Sequence, residues 1–424
     1  MKATLINIGD ELLIGQVVNT NAARMSQMLT AVGISVGAVF TIGDDAEEIT
    51  RHLQLGLATA DVVLITGGLG PTKDDITKKT LCDFFGSELY ENEMALENVT
   101  RLMKAFGREL TPINRQQALV PRCCTVINNA LGTAPCMWFE VEGANPPQVV
   151  VSLPGVPFEM MNLMETEVIP RLQAHFHTDA IVNKNILVQG IGESFLSDLI
   201  EPWETALPSH IKLAYLPQPG MLKLRLTARG SDRSLLQQQV DEAVAGLYQI
   251  AGQYIVGEDF ETLPELTAYI MRSAGKTLAS AESCTGGAIA SKLTALAGAS
   301  DYFLGGIVSY SNEVKEKALG VQHSTLQAHG AVSEETVREM VSGVRNRLGS
   351  DYAVATTGIA GPSGGTPDKP VGTVWIGIAT PKQVIAKKMH FTGQREQVIE
   401  RTCNEVYASL IRIVKEETEQ KDNR

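Results

Sequence analysis

Residues 1–170 alternate short, almost wholly apolar runs with segments of helical spacing, and few folds accept that pattern. Leu-Ile-Asn-Ile at 5–8, the run 36–42 and Asp-Val-Val-Leu-Ile at 61–65 read as strands. Between and after them, 21–32 carries Ala22, Met25, Leu29 and Val32, 44–58 carries Ile49, Leu53 and Leu57, and 78–85 is again helical. That spacing places the apolar side chains on one helix face. Strands apolar on both faces need cover on both faces, which means a parallel sheet between layers of helices. Ligands of such sheets sit at the carboxyl ends of the strands.

Near residue 170 the pattern changes. Strands at 185–189 and 221–227, the second with period-two alternation, and a helix at 235–250 describe a small α+β segment over 171–256. Gly-Ile-Gly-Glu at 190–193 weakly resembles the GxxG loop of K-homology modules, but Glu193 puts negative charge where a phosphate would lie. Residues 257–424 return to α/β: helices at 263–273, 334–348 and 395–417, strands at 307–310 and 352–356, and paired strands at 371–379 and 384–391. A length of 424 residues fits about three domains.

Charge and composition remove several function classes. The net charge of −12 repels phosphate backbones and disfavours broad nucleic-acid binding. No apolar run reaches the roughly 18 residues of a membrane helix. The chain enters a strand at once, without a signal-peptide layout. Six cysteines in so long a chain make no disulfide framework. The expectation is a cytoplasmic protein.

The C-terminal chemistry centres on Ser-Ala-Glu-Ser-Cys-Thr-Gly-Gly at 280–287, between a short apolar run and a helical pattern. A helix start offers free N–H groups, Gly286 and Gly287 allow close approach, and a hydroxyl beside them is the starting geometry of acyl transfer. On the octapeptide alone, Ser283 and Thr285 acting as helix caps explain it equally well. Cys284 is the rival nucleophile, since a helix start lowers a thiol pKa. A base is offered by Tyr-Ser-Asn-Glu-Val-Lys at 310–315: a partly buried Lys315 can take a serine proton, and Tyr310 can hold it or donate to an oxyanion. The common alternative for Lys315 is a solvated helix lysine. Thr357 to Thr366, with Gly358 and Gly361, suits a phosphate or ribose, and Arg395 can pair with a phosphate.

In the N-terminal part, Thr-Gly-Gly-Leu-Gly-Pro-Thr-Lys-Asp-Asp at 66–75 bares its backbone at Gly67, Gly68 and Gly70. Lys73 adds positive charge, and Asp74 and Asp75 are candidate ligands of a hard cation. Carboxylates at neighbouring strand ends, Asp44 among them, suggest a divalent ion held through a ligand's phosphates, although singly each Asp, and Asp44 above all, reads as a helix cap. No GxxxxGK[ST] loop and no GxGxxG after a strand occurs.

These motifs carry a resemblance. In order, Ala-Glu-Ser-Cys-Thr-Gly-Gly at 281–287, Val-Ser-Tyr-Ser-Asn-Glu at 308–313, His-Gly-Ala-Val-Ser at 329–333, Gly-Ile-Ala-Gly-Pro at 358–362 and Pro-Val-Gly-Thr-Val-Trp at 370–375 resemble the C-terminal domain of the CinA family (competence/damage-inducible protein A), the nicotinamide-nucleotide amidases. The resemblance implies deamidation of nicotinamide mononucleotide to the acid and ammonia without a metal. Ser283 would be the nucleophile, Lys315 the base and Tyr310 its helper. The N–H groups of Gly286 and Gly287 would meet the oxyanion, with Thr357 and Arg395 on the substrate. Residues 1–170 resemble the molybdopterin-binding fold of the MogA and MoeA proteins, a three-layer α/β/α domain. Through Gly-Asp-Glu-Leu-Leu-Ile-Gly-Gln at 9–16, Asn-Thr-Asn at 19–21, Leu-Gly-Thr-Ala-Pro at 131–135 and Leu-Pro-Gly-Val-Pro at 153–157, they are more similar still to the CinA N-terminal domain. Cys136 departs from the glycine common there, and the loop is expected to tolerate it. That resemblance implies a metal-dependent ADP-ribose pyrophosphatase with Asp75 and then Asp44 at the metal or phosphate, pyridine nucleotides and ADP-ribose as small-molecule partners, and a homodimer. Two other readings remain: pterin-type binding without hydrolysis, which would use the same glycines, and a competence or DNA-repair accessory, which the net charge opposes.

Overall fold

The computed structural model describes residues 1–72, 75–176 and 180–422. They divide into two compact units, Met1–Val182 with Arg229–Leu236, and Asn183–Ala228 with Gln237–Arg424. Most of the small α+β segment thus packs with the C-terminal part.

The first unit is built on a six-stranded sheet in the order Ser35–Ile42, Lys2–Ile8, Val62–Thr66, Val149–Leu153, Cys136–Glu140, Thr125–Ile127. The first four strands run parallel and the last two antiparallel. The alternating apolar runs had pointed to the first three strands, and both faces are covered as they require. One face packs Leu5, Leu64 and Val151 against Met25, Leu29, Met160 and Leu172; the other packs Ile6, Val63 and Ile65 against Ile49, Leu53 and Leu81. Cys136 opens a strand rather than lying in the expected loop, and its thiol is fully buried in the first of these cores. Asn7, Thr66 and Leu153 stand in register on adjacent strands, so Gly9, Gly67 and Pro154 follow at one sheet edge.

The second unit holds most of a four-stranded sheet in the order Ile211–Gln218, Met221–Gly230, Ala180–Val188, Ile255–Glu258, whose two outer pairs are antiparallel. Beside it lies a five-stranded sheet in the order Phe303–Val308, Leu278–Glu282, Tyr352–Gly358, Thr373–Ala379, Val384–His390. Its first three strands are parallel and the last two antiparallel. Helix Glu334–Leu348 covers one face with Val337, Met340, Val341 and Val344 against Ala279, Ala281, Ala353 and Ala355. Helices Leu263–Ser273 and Arg395–Asp422 cover the other; the second runs past the expected residue 417. Gln189 fastens the small segment to this closing helix: Arg412 donates to its side-chain oxygen (2.9 Å) and its carbonyl (3.2 Å), and its own amide donates to Glu405. Glu282 stands in register with Val308 and Thr356, so Ser283, Ser309 and Thr357 come next to one another at one edge of the sheet. Among the described residues, no helix is long and apolar enough to cross a membrane.

Candidate active site

At the end of strand Leu278–Glu282 the chain turns sharply. Ser283 N–H donates to Thr356 O (3.0 Å), which extends the parallel ladder by one bond. Gly286 and Gly287 then adopt positive φ (63° and 98°) and lead into helix Ala288–Thr294. That backbone is one that side-chain-bearing residues adopt at a cost. The Glu282 carboxylate folds back over the helix start and accepts from Thr285 Oγ1 (2.8 Å), Gly287 N (3.0 Å), Ile289 N (3.0 Å) and Ala290 N (2.8 Å). Gly286 N–H donates to Ser283 O (3.1 Å). Both glycine N–H groups expected at an oxyanion are therefore engaged inside the protein, and that expectation is corrected. The glycines shape the turn; among the described residues, the N–H groups of Cys284 and Thr285 donate to no other residue.

Lys315 lies on helix Asn312–Leu319, whose start Ser311 caps by accepting from Val314 N. Its amine donates to Ser283 Oγ (3.0 Å), Ser309 O (2.7 Å) and Tyr310 O (3.3 Å). The side chain is 1% exposed, so this is no solvated lysine. Its three partners are a hydroxyl and two carbonyls, and burial pushes its pKa below the ordinary lysine value. Cys284 is also buried, and burial pushes its thiol up to about 12. A protonated thiol is a poor nucleophile, and the Lys315 amine contacts the Ser283 hydroxyl, which favours Ser283 although Cys284 lines the same cavity.

The remaining expected residues divide. The Tyr310 phenol accepts from Arg395 Nη2 (3.1 Å), so only the Tyr310 carbonyl steadies the lysine. Arg395 Nη1 donates to Gly361 O (2.9 Å), and its guanidinium is exposed. The buried Thr357 hydroxyl donates to Ala331 O (2.6 Å), which leaves its lone pairs as the polar groups it can offer. Ser283, Lys315, Tyr310, Thr357, Gly358 and Arg395 line one cavity of about 200 Å³. Gly286, Gly287 and Gly361 do not line it.

At the carboxyl edge of the first unit's sheet, Gly67, Gly68, Gly70, Asp44 and Asp75 line a cavity of about 530 Å³. A Cβ at Gly67 would strike Ile8 O, one at Gly68 the Thr77 hydroxyl and one at Gly70 the Asp75 carboxylate, so these glycines serve close internal packing as well as exposure. Asp75 accepts from Gly70 N (2.8 Å), Thr72 N (2.9 Å) and the Thr72 hydroxyl. It therefore clamps the loop, and a cation would have to share oxygens already engaged. The helix after Asp44 is capped by Asp45, which leaves Asp44 to face the cavity. Burial, with Asp10, Glu11 and Asp75 nearby, raises the Asp44 pKa. Among the described residues, no three His, Cys, Asp or Glu side chains converge as a metal site; Lys73 and Asp74 lie outside those residues.

Residues 260–414 match the family model for the CinA C-terminal domain, 183–257 that for the damage-inducible protein CinA KH domain, and 4–174 that for a probable molybdopterin binding domain. A CinA-like protein of Flavobacterium psychrophilum is 46% identical over 407 residues, 96% of either chain. The chain belongs to the CinA family. A putative competence-damage inducible protein of Caldanaerobacter subterraneus is 40% identical over 94% of this chain and 95% of its own. A solved competence-damaged protein (CinA) superfamily protein from Klebsiella pneumoniae is 36% identical, covers 37% of this chain and 99% of its own, and has a TM-score of 0.36. The α/β class expected from the sequence holds, with a MogA-like N-terminal domain, a KH-like domain and a CinA C-terminal domain.

For this family member, sequence reasoning missed Glu282, 1% exposed and the acceptor of five donors, the Ser280 hydroxyl (3.3 Å) among them. A signal was available: an acidic residue next to a helix start complements its dipole. Glu282→Ala leaves three backbone N–H groups and the Ser280 and Thr285 hydroxyls without that acceptor. An unsatisfied buried donor costs about 1–3 kcal/mol, so the expected loss of stability is at least about 3 kcal/mol, read by chemical denaturation.

Proposed function

We propose that the C-terminal cavity deamidates nicotinamide mononucleotide. The observation that carries this reading is the 3.0 Å contact from the buried Lys315 amine to Ser283 Oγ. Neutral Lys315 takes the serine proton as Oγ attacks the carboxamide carbon. The tetrahedral oxyanion is met by the Cys284 and Thr285 N–H groups. The lysine returns the proton to the nitrogen, the C–N bond breaks and ammonia leaves. Water, deprotonated by the same amine, then attacks the acyl ester, releases the acid and restores the serine hydroxyl. A cavity of about 200 Å³ is smaller than the roughly 300–1,000 Å³ usual for a whole ligand. It takes the carboxamide-bearing ring, while Arg395 at the rim pairs with the phosphate.

The test is ammonia release from the mononucleotide, with nicotinamide as the comparison. Release from the nucleotide by the full chain is expected; a chain that releases none under conditions where it is folded refutes the proposal.

The place of Asp44, left by the Asp45 cap to face the glycine-lined cavity, favours a second activity in the first unit, metal-dependent cleavage of ADP-ribose. Asp44 would hold the cation, with phosphate oxygens and water as the other ligands, and the ion would polarise the pyrophosphate. Cleavage to AMP and ribose 5-phosphate is expected to stop on chelation and return with a divalent ion; cleavage indifferent to chelators removes the cation from this account. The same proposal takes pyridine nucleotides and ADP-ribose as partners, a homodimer as the assembly and the cytoplasm as the location.

A further inference from the structure

Beside the glycine-lined cavity, the first unit holds a larger one of about 860 Å³. Phe106, at the end of helix Glu93–Ala105, and Phe158, on helix Pro157–Leu163, both line it, as do Leu102, Met103 and Leu131. Phe106 is 68% exposed and Phe158 54%, so neither ring serves the core. Thr133 and Glu159 line both cavities and mark where they join.

The joint is built around Glu159, which is 9% exposed. One carboxylate oxygen accepts from Asn129 Nδ2 (2.6 Å). Fully buried Asn129 is itself fixed: its amide also donates to Ala134 O (2.9 Å), and its oxygen accepts from Leu131 N (3.2 Å) and Gly132 N (3.1 Å). A Cβ at Gly132 would overlap the Glu159 carboxylate, so that glycine makes room for it. The second carboxylate oxygen takes no hydrogen bond among the described residues. Burial raises the Glu159 pKa. A largely buried carboxylate, fixed on one oxygen and open on the other at the wall of two cavities, presents a positioned acceptor to a ligand's donors.

We propose that this joint is the sugar subsite of a nucleotide. The ribose hydroxyls donate to Glu159, the phosphate lies toward Gly67, Gly68 and Gly70, and the heteroaromatic ring enters the larger cavity among Phe106, Phe158 and Leu131. A carboxylate reading ribose hydroxyls recurs in nucleotide sites, and exposed aromatic walls suit a flat ring. The core of a protein interface sheds charged residues, whereas Arg108, Glu109 and Glu159 line this cavity. The inference rests on reading the first unit as an ADP-ribose pyrophosphatase and assigns the AMP half to the apolar side.

The two products of that cleavage probe the two halves. In calorimetric titrations of the full chain, AMP is expected to bind at least tenfold tighter than ribose 5-phosphate, and Phe158→Ala to erase the difference. AMP lacking both ribose hydroxyls is expected to bind about tenfold more weakly than AMP to the unaltered protein, and equally well to Glu159→Gln. Equal affinity for AMP and ribose 5-phosphate, or no binding of either, overturns the subsite. So does a Phe158→Ala variant whose sedimentation changes while its preference for AMP does not, since the face is then a protein contact. If ADP-ribose is cleaved but the ring adds no affinity, the subsite fails and the pyrophosphatase reading stands. If AMP binds as described and ADP-ribose is not cleaved, the reverse holds.

Discussion

Replacing Ser283 by alanine is expected to lower the deamidation rate at least about 10⁴-fold, because the step that breaks the C–N bond then has no covalent route. The loss should fall on kcat, with KM changed little, since the ring and phosphate contacts remain. The fold should persist. Lys315 Nζ keeps the Ser309 and Tyr310 carbonyls as acceptors, and the Ser283 backbone bonds do not involve its hydroxyl. Steady-state ammonia release together with a thermal melt separates the two effects. Normal turnover by a well-folded Ser283→Ala protein would falsify the nucleophile assignment.

Lys315→Met is the second large effect, and it acts in opposite senses on activity and stability. The proton acceptor disappears while the apolar stem is kept in shape, so kcat should fall about 10²–10⁴-fold or more. Stability follows from the sign of the shift. Burial holds the folded pKa of Lys315 below the ordinary 10.5, so between those two values the unfolded chain binds more protons than the folded one. Stability therefore rises with pH through that window. Below the folded pKa the cost of burying the charge is present in full; above 10.5 it is gone. The methionine variant lacks this term. It should be the more stable protein at neutral pH, and its advantage should shrink as pH climbs toward 10.5. The wild-type rate should rise with pH on a limb below the usual lysine range, as the amine becomes neutral. Denaturant titrations across pH and a pH–rate profile read both; a rate limb at an unshifted lysine pKa removes Lys315 as the base.

Much of this was legible in the chain because local pattern and tertiary need agree. Runs such as 61–65, apolar at nearly every position, can only be interior strands, and they are. The pairing of Ser283 with Lys315 was legible because both follow strands of one sheet, and the shared edge brings them together across 32 positions. The antiparallel strands Thr125–Ile127 and Cys136–Glu140 were missed: the first is three residues long, too short for any period to show. The oxyanion donors were assigned wrongly for a different reason. Spacing indicates that a helix start has free N–H groups, but only coordinates reveal that Glu282 reaches them first. Asp75 shows the same limit, since a carboxylate able to bind a cation binds its own loop equally well. Tyr310 was placed correctly in the cavity with its phenol on the wrong partner, because Arg395, 85 positions away, is invisible to local reasoning.

The bond between Gln189 and the closing helix bears on how the chain can be dissected. Glu405 is 4% exposed and faces Gln189 on one oxygen and Lys387 (2.6 Å) on the other. Leu187, Met221 and Val256 belong to the same apolar cluster as Leu278 and Tyr407. A fragment begun at residue 257 would strip an amide from a buried acid and open a greasy seam along its longest helix. The second compact unit begins at Asn183, well before the point where the CinA C-terminal motifs begin, and a fragment meant to keep the Ser283 cavity folded should be cut there.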